Sequence, residues 1–273
     1  MGGRADEDED AGPGPVVVGV DGSAASLTAV EAAADEARRR GAALRLTYVL
    51  TWSDRVPVGV PPWDPDGDGL RETVAEVLTR AEDRARRVAP RLTIVREVLL
   101  GEPGAVLAAE SRDACLTVIG RRPGPVLTAR GPGRTTGRLT ARGGAPVLVV
   151  CGRPGATGPV VLSEDGSPAA REAAGFAFAE AAARGADLEI LHLPGGRRPG
   201  RGHRATTAEL AALRKRHPDV TVRSRWIRHR PRRALTDASA GAGLVVVGAG
   251  RGPAGHPVLR HAYCPVAVVP GIA

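Results

Sequence analysis

A short stretch that occurs twice decides the fold of this chain. Residues 15–26 read "PVVVGVDGSAAS" and residues 159–170 read "PVVLSEDGSPAA", which aligns Asp21 with Asp165 at a spacing of 144 residues. The same spacing aligns "LRLTYVL" with "LEILHLP" farther along the chain. Self-similarity over such a distance predicts a tandem duplication of one structural unit.

The second copy is the shorter one. From Leu92 onward the aligned spacing falls to 128 residues, which pairs "CLTVIG" with "GLVVVG" and Gly120 with Gly248. The closing stretches "APVLVV" and "CPVAVV" align Pro146 with Pro265 at a spacing of 119 residues. The second copy has therefore lost 16 residues (144 − 128) between its second and third strands, and 9 residues (128 − 119) after Gly248.

Each copy has the pattern of an α/β unit. Val16–Val20 is a continuous apolar run, which predicts a strand covered on both faces of a parallel sheet. Ala25–Arg40 has helical periodicity, with Ser23 as the expected N-cap and Gly41 as the C-terminal stop. Alternating strands and helices predict an open, doubly wound parallel sheet. The other elements expected in the first copy are strands Leu44–Leu50, Leu92–Leu100, Leu116–Ile119 and Val147–Val150, helices Val74–Ala89 and Pro103–Arg112, and a helix after Gly133.

These boundaries predict four segments. Residues 1–14 are acidic and poor in apolar side chains, which predicts a disordered tail. Residues 15–152 form the first domain, and residues 159–273 form the second, shortened domain. Between them, the Gly/Pro-rich residues 153–158 are expected to be a linker.

Composition limits the partners. The net charge of +8 and the pI of about 10.7 raise nucleic acid as a partner. However, Lys215 is the single lysine among 38 basic residues, and the arginines are spread along the chain without the interleaved aromatics that stack bases. We therefore expect no nucleic-acid function. The role of the strongly basic segment 197–233 stays open between an acidic partner and a solvated surface. Trp226, in the middle of this segment, is expected on the third strand of the second copy and in its core.

The cysteines and apolar runs predict the compartment. Cys115, Cys151 and Cys264 are odd in number and widely spaced, which is typical of reduced thiols rather than a disulfide frame or zinc site. The longest apolar runs are strand-sized and much shorter than a membrane span. The expectation is a cytoplasmic protein without a membrane partner.

No catalytic constellation is evident. All six histidines lie in the second half, and His256 and His261 do not have the i, i+4 spacing of a helical zinc pair. Ser23 is explained as a helix cap, and the lysine of a phosphate-binding P-loop motif is missing. The sequence predicts a binding protein without a metal and not an enzyme, with weak ATP hydrolysis left open.

The order of these motifs resembles the universal stress protein family. The resemblance rests on "VVVGVDGSAAS", an Ala-rich helix ending in "RRGA", "VIG" before a glycine-rich loop, and the closing "PVLVV", and it covers residues 15 to about 270 as two tandem domains. It implies that each domain is a five-stranded parallel sheet of the adenine-nucleotide alpha hydrolase-like kind. It also implies pairing of domains through their last strands, as in the family's homodimers.

The family's ATP pattern, G-x2-G-x9-G-[S/T] after the fourth strand, is partly present in the first copy. Gly120 and Gly133 match its first and third glycines. Pro123 stands in place of the second glycine, and Arg134 stands in place of the Ser or Thr, with Thr135 one position late. Proline lacks the N–H and the free φ that the glycine supplies.

Two further positions follow from the same resemblance. Asp21 corresponds to the carboxylate that reaches the ribose and adenine side, and Val49 to a backbone contact with adenine. Arginines of the loop region could replace the lost amide contacts with charge. These are Arg121, Arg122, Arg130, Arg134 and Arg138.

Two interpretations stay open. In one, the chain is a stress-response protein whose first domain binds ATP with Mg²⁺ while the second, which lacks room for the phosphate loop, is a structural partner. In the other, both sites are degenerate and the chain is a nucleotide-free scaffold for unknown protein partners. Both interpretations predict that the two closing strands pair about a pseudo-two-fold axis; strands lying far apart would contradict this.

Overall fold

The computed structural model describes residues 13–51, 68–121, 133–152, 155, 157–193, 201–249 and 258–271. The expected acidic tail up to residue 12, most of the loop after Gly120 including Pro123, and part of the linker lie outside these ranges. None of the described helices has the length and apolar character needed to cross a membrane.

The ten described strands form one continuous sheet. Its order is β3-β2-β1-β4-β5-β10-β9-β6-β7-β8, so each copy contributes five strands. Within each copy all neighbours are parallel, as the alternation of strands and helices predicts. The strands are β1 (Val16–Val20), β2 (Leu44–Leu50), β3 (Ile94–Leu100), β4 (Leu116–Gly120), β5 (Val147–Val150), β6 (Val160–Glu164), β7 (Leu188–His192), β8 (Val222–Trp226), β9 (Leu244–Gly248) and β10 (Val266–Val269).

Helices cover both faces of this sheet, and the sheet separates the apolar core into two layers. One face is covered by the long helices α1, α2, α5 and α6, and the other by the short helices α3, α4, α7 and α8. The helices are α1 (Ala24–Arg40), α2 (Asp68–Val88), α3 (Pro103–Glu110), α4 (Arg134–Arg142), α5 (Pro168–Arg184), α6 (Arg201–Arg216), α7 (Pro231–Ser239) and α8 (Val258–His261).

Equivalent helices of the two halves begin and end by the same chemistry. The Ser23 hydroxyl accepts a hydrogen bond from the Ser26 N–H at 3.2 Å, and Gly41 ends α1 at φ 62°. Ser167 caps α5 in the same way, and Gly185 ends it at φ 60°. The predicted cap and stop of α1 are confirmed, and the left-handed φ explains why glycine follows each helix.

The two halves join at the centre of the sheet. Strands β5 and β10 pair antiparallel, with Val149 opposite Val266 and Val147 opposite Val268. All residues of both strands are buried. The closing strands of the two copies therefore lie side by side and run in opposite directions.

An ion cluster stands over this junction, between α1 and α5. The side chains of Glu36 and Glu180 are 4% and 5% exposed, and each contacts both Arg40 and Arg184, one from its own helix and one from the other half. These residues are equivalent in the repeat, so the cluster is itself two-fold symmetric. Burial alone would lower the pKa of Arg40, but Glu180 and Glu36 outweigh it and raise that pKa.

The structure differs from the sequence expectations at some boundaries and at one side chain. Helix α2 begins at Asp68 rather than Val74, because its first turns bring Leu70 against the core. The expected burial of Trp226 is wrong, since its side chain is 62% exposed. It lies on β8, an edge strand of the sheet that leaves most of its side chains in solvent.

Candidate functional site

The fold places a crevice at the carboxyl ends of β1 and β4. These strands are parallel neighbours, while the chain continues from β1 to β2 on the other side, so the topology switches between them. Open α/β sheets bind ligands in the crevice at such a switch point. Asp21 directly follows β1, and Gly120 ends β4, so these two predicted site residues lie at the same crevice.

Asp21 is exposed and organises the turn into α1. Its Oδ1 accepts a hydrogen bond from the Ser23 N–H at 2.9 Å. Asp165 makes the equivalent bond with the Ser167 N–H at 3.0 Å in the second half. The turn alone therefore accounts for an aspartate at both positions, whether or not a ligand binds there.

Gly120 is required by packing at the crevice. A Cβ at this position would collide with the Ala25 carbonyl in the first turn of α1. A Cβ at Gly248 would meet the Ala169 backbone of α5 in the same manner. Gly120 and Gly248 allow α1 and α5 to approach the sheet closely, so Gly120 by itself does not indicate a nucleotide.

Gly133, Arg134 and Thr135 form the beginning of α4. Gly133 is the N-cap residue at φ 85°, a conformation that favours glycine, and it provides no side-chain hydrogen bond to the helix. Arg134 is exposed and Thr135 is half-buried. The N–H groups of this first turn thus have no side-chain cap, which is the arrangement that binds anions at helix N-termini.

Two of the five arginines expected to serve this loop have other partners. Arg138 donates to Glu102 at 2.6 Å, and Arg121 donates to the carbonyl oxygen of Arg260 in the second half at 2.6 Å. Arg122 and Arg130 lie outside the described residues. Among the described arginines of this set, Arg134 is the one whose guanidinium remains available to a phosphate.

Val49 lies on β2, in register with Leu99 of β3, and is half-buried against the core layer beneath α3 and α4. Strand β2 is the direct neighbour of β1, so the backbone of Val49 lies near the carboxyl end of β1. The predicted site residues therefore come from β1, β2, β4 and α4. Their contact with a nucleotide stays a prediction.

The equivalent region of the second half has a different chemistry. Glu164 ends β6 with 1% exposure, and its carboxylate accepts from the Gly166 N–H at 2.6 Å and contacts His192 Nδ1 at 2.9 Å. The ring of His192 stacks on Trp226 with centroids 4.4 Å apart. Sequence reasoning missed this chain of contacts, although a carboxylate closing the apolar run "VVLSE" was a usable signal.

The described part of the basic segment 197–233 is partly neutralised. Arg223 pairs with Asp187 at 3.2 Å, and Arg225 pairs with Glu189 at 3.1 Å, across the neighbouring strands β7 and β8. These pairs form on an exposed edge of the sheet. Within the described ranges, no three His, Cys, Asp or Glu side chains are placed to hold a metal ion.

Comparison with known proteins agrees with this architecture. A solved universal stress protein from Archaeoglobus fulgidus aligns with 94% of this chain and 96% of its own, with a TM-score of 0.73 and 17% identity. At this identity the likeness shows the shared fold.

Sequence comparison is more specific. A universal stress protein of Mycolicibacterium smegmatis is 34% identical over 262 residues, covering 87% of each chain. One of Mycobacterium tuberculosis is 31% identical over 265 residues, again covering 87% of each. The model of the universal stress protein family matches residues 14–154. Three findings agree: the ten-stranded sheet takes five strands from each copy, the two relatives are matched over 87% of their length, and the family model matches the chain. The chain is therefore a member of the universal stress protein family.

Proposed function

We propose that the chain is a binding module of the stress response, located in the cytoplasm, whose first half binds an adenine nucleotide. The ligand would be ATP with Mg²⁺, and the second half would be a structural partner in an intrachain imitation of a family dimer. The observation that carries this proposal is the meeting of Asp21, the end of β4 and the uncapped α4 at one topological switch point.

The residues of the crevice fit the parts of a nucleotide. The carboxylate of Asp21 suits a ribose hydroxyl, and the first turn of α4 with Arg134 suits phosphate oxygens. Gly133 keeps the backbone accessible because, apart from its chain neighbours, no described residue lies within 4 Å of the position its Cβ would occupy. ATP would bring its own Mg²⁺, since this ion is commonly held by phosphates and few protein ligands.

Binding is favoured over catalysis. The residues assigned to the crevice offer a carboxylate and a guanidinium, but no histidine to serve as a general acid or base. We therefore expect slow turnover of ATP at most.

A nucleotide-free scaffold is the second candidate. Its support is that Asp21 and Gly120 are both explained by local structure, and that two of the loop arginines have other partners. In this alternative the buried β5–β10 junction and the symmetric ion cluster provide the rigid core to which protein partners bind.

The two candidates are separated by calorimetric titration with Mg-ATP. We expect micromolar binding at one site per chain, abolished by Asp21→Ala and weakened at least about tenfold by Arg134→Ala, since a charge-assisted phosphate contact is worth about 1.5–3 kcal/mol.

The matched control is Asp165→Ala. It removes the same turn hydrogen bond from the second half, so it reproduces the structural effect of Asp21→Ala without touching the proposed site. Loss of binding in both variants, or no binding by the unmodified protein at millimolar ATP, would favour the scaffold.

A further inference from the structure

A groove rich in arginine lies where the two halves meet, on the face of the short helices. It has a volume of about 720 Å³. It is bounded by Arg121 after β4, by Gly152 after β5, by the beginning of α7, and by α8 with the segment that follows it. We call it the arginine groove. The side chains that matter here are Arg121, Arg232, Arg233, Arg260, His261 and Tyr263.

The lining of the arginine groove has one sign of charge. Among the described residues that line it are four arginines and a histidine, and none of these lining residues is a carboxylate. Arg233 also contacts Asp237 at 3.6 Å, but these side chains are 70% and 68% exposed, so this pair neutralises little. Four guanidinium groups around one concave surface repel one another and create a positive potential that attracts anions.

Two of these arginines stand where a helix usually carries acidic residues. Arg232 and Arg233 are in the first turn of α7, next to the positive end of the helix dipole. The N-cap residue, Arg230, lies at φ 51° and makes no side-chain hydrogen bond to the helix. The guanidinium groups of Arg232 and Arg233 thus add to the positive end of the helix dipole, and this combination suits phosphate oxygens.

The arginine groove is also partly preorganised. Arg121 extends from the end of β4 across the junction and donates to the Arg260 carbonyl at 2.6 Å, which ties the two halves together at its edge. Tyr263 is 60% exposed, and its backbone N–H is bonded to Ser239 at 3.1 Å. An exposed phenol on a fixed backbone can hydrogen-bond or stack with a ligand.

The equivalent position in the first half has Arg142 in the place of His261 but lacks the four arginines. Applying the repeat, the places of Arg232, Arg233, Arg260 and Arg121 are taken by small uncharged residues, namely Gly104, Ala105, Ala141 and Ala249. The basic lining is therefore a property of one groove and not of the fold, which a general excess of arginine would not produce.

We propose that the arginine groove binds a small anion carrying two or more phosphate groups, at a site separate from the crevice of β1 and β4. The planar fork of arginine fits phosphate oxygens in bidentate fashion, and several forks around one cavity suit an oligophosphate better than a single carboxylate. A volume of about 720 Å³ is in the range of small-ligand sites.

The test uses inorganic tripolyphosphate as the probe, titrated calorimetrically into the full chain without Mg²⁺. We expect one micromolar site per chain that weakens as NaCl is raised, because the attraction is electrostatic. The double variant Arg232→Gln/Arg233→Gln should weaken binding by about tenfold or more, by analogy with charge-assisted hydrogen bonds. Both side chains are exposed, so the variant should fold.

The matched control is Arg80→Gln/Arg87→Gln, which removes the same charge from exposed positions on α2. Its affinity for tripolyphosphate should stay within about twofold of the unmodified chain if the groove is specific. Equal weakening in both double variants, or no binding at millimolar tripolyphosphate, would overturn the proposal.

A last variant separates this site from the proposed nucleotide crevice. Arg134→Ala removes the guanidinium that the crevice offers to phosphate, so it should weaken ATP binding and change tripolyphosphate binding by less than about twofold. If Arg134→Ala abolishes tripolyphosphate binding while Arg232→Gln/Arg233→Gln does not, the anion binds in the crevice and the arginine groove is not a site.

Discussion

Helices α3 and α7 are equivalent in the two halves, yet their N-cap residues, Glu102 and Arg230, are opposite in charge. Glu102 caps α3 by accepting from the Ala105 N–H at 3.0 Å, and it also holds Arg138. The equivalent of Glu102 is Arg230, which leaves α7 without a side-chain cap. In the first half, a side chain of the protein itself caps the N–H groups at the beginning of this helix. In the second half, the N-cap residue makes no such hydrogen bond.

The opposite face of the sheet shows no such divergence. Glu36 and Glu180, with Arg40 and Arg184, keep the same contacts in both halves. The contrast indicates that the face with the long helices is constrained by holding the halves together. The face with the short helices is free to acquire a different chemistry in each half.

Breaking the symmetric cluster should have the largest effect. We expect Glu180→Gln to lower the free energy of unfolding by about 3 kcal/mol, at the lower end of the range for breaking a buried ion pair, because each arginine keeps Glu36. Glu36→Gln should cost slightly more, since Glu36 also pairs with Arg39 at 3.0 Å. Urea unfolding monitored by circular dichroism measures both.

Two further variants test whether burial causes this cost. Glu31→Gln removes an exposed pair with Arg84 and should cost less than about 1 kcal/mol. The double variant Glu36→Gln/Glu180→Gln should lose more than the sum of the single variants, because both arginines then lose their last carboxylate partner in the cluster. A Glu180→Gln effect no larger than that of Glu31→Gln would contradict the importance of the cluster.

The unequal helix caps predict a smaller and one-sided effect. Glu102→Ala should destabilise the protein by about 1 kcal/mol through loss of the N-cap. Arg230→Ala removes no cap and should change the free energy of unfolding by less than about 0.5 kcal/mol. Equal losses in the two variants, measured by urea unfolding at pH 7, would show that the two helix ends are energetically alike.

The contribution of Glu102 should also depend on pH. Burial tends to raise its pKa, but hydrogen bonds from Arg138 and from the backbone N–H groups of Gly104 and Ala105 outweigh burial and lower it. A lowered pKa means that the stabilisation is full above the unfolded-state pKa and is lost as the pH falls through the folded-state pKa. The difference between the unmodified protein and Glu102→Gln should therefore shrink on acidification.

The smallest expected effect is the reactivity of the three cysteines with a thiol reagent, which measures how often the β5–β10 junction opens. Burial raises the pKa of Cys151 to about 11 and that of Cys264 to about 12, and the Cys151 thiol donates to the Cys264 carbonyl at 3.0 Å. Cys115 is half-buried, and burial raises its pKa as well. At pH 8 a thiol reagent should modify Cys115 slowly and the other two only when β5 and β10 separate.

Cysteine labelling also tests whether the ion cluster stabilises the β5–β10 junction. Cys115→Ser should remove most of the reaction of the native protein, and Glu180→Gln should accelerate labelling of Cys151 and Cys264. Rapid reaction of all three thiols in the unmodified protein would mean that the central strands open easily.

The repeat and its apolar periodicity were sufficient to predict the parallel strands and the caps of α1, because these depend on local patterns. Burial at the sheet edges was not predictable in the same way. Trp226 was placed in the core because it lies on a strand. However, β8 has a neighbour on one side only, and the exposed face of an edge strand cannot be read from its residues.

The candidate sites also differ in whether they depend on local sequence or on contacts between distant parts of the chain. Asp21, Gly120 and Gly133 could be located from motif spacing, since each belongs to a turn that the sequence specifies. The arginine groove could not, because Arg121 and Arg232 are far apart in sequence and meet only after β5 and β10 have paired. Its charges look unremarkable in a chain that is rich in arginine throughout.

The pairing of β5 with β10 within one polypeptide has a consequence for how such a molecule can change. Between identical subunits, every substitution appears on both sides of the axis, and assembly weakens on dilution. Here the covalent link supplies a high effective concentration of one half for the other, so the junction should persist at any dilution. A charge introduced into one half is not repeated in the other, so a protein of this design can carry a cationic groove on one side of its axis only.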